Sequence, residues 1–180
     1  MLRNKDEVIV KWYENVNAEA KVAYLLTLTE KVMGKIENYE WYHLARKSID
    51  MCWEWVEEKK HSGDELYLSL DNEDGDGLCH IQGVAYINDI TDPQEKSIWF
   101  CVTDSVFYAT WQAYQYEKEE YVPQAIETVD DEMIDDFMEK IKKVDGYQEE
   151  WAERLKQYLL ENSPAGSDKK IKREEMIGLI

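Results

Sequence analysis

Between Ala18 and Glu37 apolar side chains recur every three or four positions, at Val22, Leu25, Leu26, Val32, Met33 and Ile36, with Thr29 in the same series. That period lays an apolar stripe along one face of a helix. A second helix is predicted over roughly 39–60, with Ala45, Ile49, Cys52, Trp53 and Val56 inward. His61-Ser62-Gly63 ends it. Ser62 followed three positions later by Glu65 has the form of a capping box, opening a short helix, "GDELYLSL". In "GLCHIQGVAYIN", Leu78, Ile81 and Ala85 fall at helical intervals, but glycines interrupt, so a short irregular or strand segment near 78–90 stands as the alternative. Asp92-Pro93 supplies a cap and a first-turn proline for a helix running to about Glu117, apolar nearly all round and so expected at the centre. Pro123 breaks the pattern. Ile134, Phe137, Met138, Ile141 and Val144 mark an acidic amphipathic helix, and Trp151, Leu155, Tyr158 and Leu159 another, parted at Asp145-Gly146. The pattern predicts an all-α domain of six to eight helices over residues 1–162. A linker-like "NSPAGSD" and a locally basic, apolar tail, "KKIKREEMIGLI", complete residues 163–180; the tail is expected to dock or swap.

Charge alters this picture more than composition does. The chain carries 21 basic and 39 acidic residues, a formal net charge of −18. Such a field repels nucleic acid and anionic membrane and speeds docking to a basic partner. High net charge can also signal disorder. Seven Trp and twelve Tyr within 44% hydrophobic residues argue instead for a chain able to build a core. The start, "MLRNKDEVIVKWYE", is charged throughout and no apolar run approaches a membrane span. Together with three cysteines in apolar helical patterns (Cys52, Cys79, Cys101), this points to a cytoplasmic chain with reduced thiols acting as small core residues.

Three patterns along the chain suggest chemistry. In "LDNEDGDGLCHIQG", Asn72, Asp74, Asp76 and Gly77 match the first half of a calcium loop, but the bidentate glutamate is replaced by Gly83. An acidic turn is the better reading, with Gly75 and Gly77 supplying positive φ. Glu40/His43 and Glu58/His61 repeat a di-iron Glu-x-x-His spacing. Eighteen residues along one helix separate them by about 27 Å, so only a break near Asp50 would bring them together. Glu117/Glu120 and Glu132/Asp135 look like the magnesium carboxylates of all-α nucleotide pyrophosphohydrolases. In so acidic a chain that pattern is cheap, and the hydrolase is kept as the alternative function. No nucleophile has a visible base, and no phosphate-binding glycine loop or basic stripe for nucleic acid is present. The sequence therefore predicts no catalytic residue, no metal ligand and no cofactor.

Carboxylates set among aromatics remain, and they suit a cationic protein: the rings give buried area and cation–π contact, the acids steering and pairing. The candidate partner-facing residues are Tyr67, Asp71, Glu73, Asp74 and Asp76 at the turn. A second set lies along 114–136: Tyr114, Tyr116, Glu117, Glu119, Glu120, Asp131 and Asp135.

The segment "CWEWVEEKKHSGDELYLSLDNEDGDGL" carries a Trp53-x-Trp55 pair, the Asp64-Glu65-Leu66-Tyr67 helix, Leu70-Asp71-Asn72-Glu73-Asp74 and Gly77-Leu78. The helix "AYLLTLTEKVMGKIE" precedes it. In these features, and in order and size over most of the chain, it resembles immunity family six, all-helical immunity proteins of bacterial polymorphic toxin systems. The tail after Asn162 falls outside the resemblance. The likeness implies a cytoplasmic inhibitor that binds a cognate secreted toxin domain, and it carries over no catalytic residue.

Overall fold

The structure, a computed structural model, describes residues 9–87 and 92–180, with side chains except at 84–87. Its helices are α1 (Ala18–Met33), α2 (Tyr42–Glu58), α3 (Gly63–Leu70), α4 (Leu78–Ile87), α5 (Pro93–Glu117), α6 (Gln124–Glu127), α7 (Glu132–Ile141), α8 (Glu149–Asn162) and α9 (Arg173–Ile177). Short 3₁₀ turns occupy Trp12–Asn15 and Gly34–Ile36. Among the described residues there is no strand, only an isolated antiparallel bridge between Val16 and Pro164. Seven helices have eight residues or more, within the expected range, and two short ones add to it.

The α5 helix is the axle. It packs against α1, α2, α3 and α7, and along most of its length it is buried on every side. Its start follows the sequence signal: Asp92 accepts the Gln94 N–H at 2.9 Å, with Pro93 at the first helical position. Its hydroxyls do not compete with the helix for long, because Thr103 and Thr110 donate back to the carbonyls of Trp99 (2.9 Å) and Val106 (2.7 Å). Ser105 and Thr29 of α1 bond each other across the interface at 2.9 Å.

Where 78–90 could have been strand, residues 78–87 are helix. Leu78 and Ile81 lie one turn apart in the core, and a side chain at Gly83 would meet open space, so that glycine costs propensity without breaking the helix. Residues 88–90 lie outside the described residues. The α1 helix stops at Met33, earlier than the expected Glu37, yet Ile36 remains buried from the 3₁₀ turn that follows. The α2 helix ends at Lys59 in the left-handed region (φ 55°), its N–H bonded to the Trp55 carbonyl. The capping box then forms as expected: Ser62 Oγ accepts the Glu65 N–H at 3.1 Å, and the Glu65 carboxylate accepts the Ser62 N–H at 3.0 Å. The first residue of α3 must be glycine, since a Cβ on Gly63 would lie 2.6 Å from the Tyr114 ring.

Residues 162–168 are fastened to the start of the chain. The Asn17 N–H donates to the Ser163 carbonyl (3.0 Å), and the Ala165 N–H to the Asn15 carbonyl (2.9 Å). Beyond them the tail docks on α1, with Ile171 and Met176 buried. Arg173 completes an ionic cluster between tail, α1 and α2. Its guanidinium donates to Glu30 (2.6 Å) and Asp50 (2.8 Å), while Arg46 grips Glu30 with two bonds of 2.7 Å. Burial alone would raise the Glu30 carboxyl, but Arg46, Arg173 and the Trp53 indole N–H outweigh it and hold it below its ordinary range.

The acidic surplus also has an internal use. Among the described residues six tyrosines donate to carboxylates: Tyr13 to Asp135 (2.9 Å), Tyr39 to Glu95, Tyr108 to Asp131 (2.6 Å), Tyr114 to Asp64 (2.6 Å), Tyr147 to Glu149 (3.3 Å) and Tyr158 to Glu175. Each bond satisfies a phenol at the edge of the core with an anion at the surface.

Candidate interaction surface

The turn between α3 and α4 is built around Asn72. Its side-chain oxygen accepts the N–H groups of Asp74 (3.0 Å) and Asp76 (3.4 Å), and its amide donates to the Leu68 carbonyl (2.9 Å) and to Asp76 Oδ1 (2.6 Å). Asn72 therefore works as a turn residue, where a calcium loop would need it as a ligand. Gly75 has the expected positive φ (+74°), but Gly77 does not. Gly77 is required by close approach: a Cβ there would sit 2.4 Å from the Leu70 carbonyl oxygen, which cannot swing away. We predict that Gly77→Ala costs about 1–3 kcal/mol in urea unfolding because backbone must shift. Gly83→Ala, with open space around it, should instead be neutral or gain up to about 1 kcal/mol.

With the turn fixed in this way, Asp71, Glu73, Asp74 and Asp76 are all exposed. They wall an open groove of about 760 Å³ between α2 and α3, together with Glu65. Its apolar lining is Leu44 and Met51 from α2 and Leu68 from α3, and its one cation is Lys47. Tyr67 is half-buried beside this turn, its phenol pushed up by burial and by Asp71. Cys79, at the start of α4, is exposed, contrary to the expectation that all three cysteines are core residues; Cys52 and Cys101 are buried. Burial of part of its surface and the Asp71 charge raise the Cys79 thiol.

The second expected face divides. Tyr114 is 2% exposed, its ring over Gly63 and its hydroxyl on Asp64, so its ring belongs to the core. Glu117 accepts the Gly63 N–H at 2.9 Å, joining the end of α5 to the positive start of α3. Tyr116 stands 60% exposed among Glu119 and Glu120, edge-on to Trp55, with the Lys59 ammonium 4.3 Å from the Trp55 ring centre. Asp131 and Asp135 lie elsewhere. Asp131 meets α5 at Tyr108, about 13 Å of helix rise before Glu117. There Lys21 bonds Asp131 (2.6 Å) and Lys11 pairs with Asp135 (3.2 Å), on the wall of a groove of about 540 Å³ beside Trp111.

These placements separate the magnesium carboxylates. Glu117 is bound to the α3 backbone and Asp135 to Tyr13 and Lys11. The two Glu-x-x-His pairs stay apart as well, because α2 runs unbroken through Asp50. His43 contacts the Glu40 carbonyl, while His61 sits between the carboxylates of Glu54 and Glu65 and leaves Glu58 outside. Among the described residues no group of three or more His, Cys, Asp or Glu side chains could hold a metal ion. No helix among them is long and apolar enough to cross a membrane.

The lining residue that periodicity concealed is Leu68. On α3, Leu66 and Leu70 share the inner face, and Leu68 lies about 200° round the helix from Leu66. That displacement was the available signal, and Leu68 is 57% exposed.

Compared with known families, residues 20–144 match the family model of immunity protein Imm6. No curated protein and no solved structure gives a significant match.

Proposed function

The chain belongs to the immunity protein Imm6 family, and from that premise we propose that it is a cytoplasmic, non-enzymatic inhibitor that binds and neutralises a cognate secreted toxin domain of basic character. The observation that carries this reading is the net charge of −18, displayed in part as exposed carboxylates on a hydrogen-bonded turn. A nuclease is a natural target, since an enzyme that holds phosphates is basic where it does so. Against such a surface the acidic face would stand in for the phosphate field and keep the substrate out. Carboxylates held on a prebuilt turn lose little freedom on docking, which favours affinity as well as rate.

The test is co-purification and cell protection with the toxin domain encoded beside this chain's gene. A stoichiometric complex is expected, together with rescue of growth in cells expressing the toxin. Raising salt from about 0.05 to about 0.5 M should slow association by an order of magnitude or more, because exposed charges steer the encounter. Absence of both binding and protection would refute the proposal.

A further inference from the structure

We propose that the groove between α2 and α3 is the surface that grips the toxin, and that it takes a basic segment presenting one bulky apolar side chain, seated on Leu68, Met51 and Leu44 between flanking Lys or Arg residues. This rests on the inhibitor reading above and specifies its contact. A single exposed leucine means little on a protein surface. Leu68 differs because Met51 and Leu44 line the same groove, so the exposed apolar area is continuous with a concave floor of about 760 Å³. That volume lies within the range of pockets that hold ligand-sized groups. An apolar centre with a polar rim is also the anatomy of protein interfaces in general.

Charge fixes the sign of the occupant. Five carboxylates face the groove and only Lys47 opposes them. Of these, Glu73 and Asp74 have side chains with no bonded partner among the described residues. A bulky group flanked by cations would cover Leu68 and pair with them in one step. The adjoining groove shares Leu68 and Met51, but there Arg46 and Lys47 stand beside Asp50, Glu54 and Glu65, so its acid surplus is smaller. Two further grooves lack the combination. In the one beside Trp12 and Leu160, Arg154 pairs with Glu150 and Lys156 with Glu153, which leaves Glu161 as its single acid without a cation. The one beside Trp111 is acidic, with Asp131 and Asp135 engaged by Tyr108, Lys21, Tyr13 and Lys11, but no aliphatic side chain lines it to seat an apolar group.

The two halves of the groove divide the kinetics. Carboxylates act at a distance and set the association rate, whereas the desolvated leucine sets the dissociation rate. The experiment measures both constants for the toxin domain encoded beside this chain's gene. Leu68→Asp is expected to weaken binding about tenfold or more, chiefly through faster dissociation, and Leu68→Ala in the same direction by less. The pair Glu73→Gln and Asp74→Asn should slow association several-fold and flatten its salt dependence, with dissociation little changed. Leu160→Asp, in the groove of paired charges, should leave both constants within about twofold of wild type. Thermal unfolding of Leu68→Asp should match wild type, since the side chain already faces water.

Salt-sensitive binding by wild type that Leu68→Asp leaves within about twofold would overturn the groove assignment and leave the inhibitor reading standing. No binding by wild type would overturn both. A wild-type dimer in sedimentation, dispersed by Leu68→Asp, would assign the groove to a second copy of this chain and equally overturn the proposal.

Discussion

Glu30→Ala should lower the unfolding free energy by about 3 kcal/mol, at the low end of what breaking a buried ion pair costs. The carboxylate is the hub of the cluster joining tail, α1 and α2, with a side chain only 11% exposed. Its removal strands the Arg46 and Arg173 guanidiniums and the Trp53 indole N–H, which reaches Glu30 at 3.1 Å. Asp50 still receives both arginines, at 3.0 Å from Arg46 and 2.8 Å from Arg173, which keeps the loss from being larger. The sign with pH follows from the depressed carboxyl. Its contribution is complete above the free glutamate value of about 4.3 and fades as pH falls through the lower folded value. Urea unfolding of wild type and variant should therefore converge in acid. Because Arg173 brings the tail to this hub, the variant should also be cut faster by trypsin within 163–172. An unchanged midpoint at neutral pH would contradict this description of the cluster.

Alkali should unfold the protein cooperatively at about pH 11–13. Tyr13, Tyr24, Tyr108 and Tyr114 are buried, and burial is the first cause of every one of their upward shifts. Neighbouring carboxylates add to it: Asp135 at Tyr13, Asp131 at Tyr108 and Asp64 at Tyr114. A raised phenol contributes stability in full below its free value of about 10 and loses it as pH climbs towards the folded value. Each such group costs about 1.4 kcal/mol per pH unit in that window, so four remove roughly 5 kcal/mol per unit. Against a domain stability of about 5–15 kcal/mol, about one to three units exhaust it. The part of the tyrosinate absorbance band contributed by these buried phenols should appear together with the loss of helical circular dichroism. Phenols that ionise gradually, with the helices intact to the end, would refute the prediction.

The helices that the sequence displays best are those whose caps and period agree. Ser62 with Glu65 and Asp92 with Pro93 give local instructions that tertiary packing does not override. Helix ends were less legible. Lys59 and Lys118 terminate α2 and α5 in the left-handed region, a place where glycine would have advertised the stop. At the end of α1, a three-residue 3₁₀ turn keeps Ile36 inward, and over so short a stretch its period cannot be told from that of an α-helix.

For the interaction surface, the acidic turn was legible because Asn72, Gly75 and four acids fall within six positions. The burial of Tyr114 was not legible because α5 is apolar nearly all round, so spacing along it carries no inside or outside. Gly63, which makes room for its ring, lies 51 positions away, and no local pattern joins them. The groove was invisible for a related reason, since its floor joins Leu44 and Met51 on one helix to Leu68 on another. The phenol–carboxylate bonds likewise join distant positions, 122 apart for Tyr13 and Asp135. Composition announces surplus acid and many tyrosines, but only the fold pairs them.

Cys79 offers a practical return. Of the chain's three cysteines it alone is exposed, and it sits where α4 leaves the acidic turn, its thiol raised by partial burial and then by the charge on Asp71. A maleimide dye would therefore attach at one position without any other cysteine being removed, given a mildly alkaline reaction to populate the thiolate. Placed there, the dye becomes an optical gauge of groove occupancy in the natural sequence.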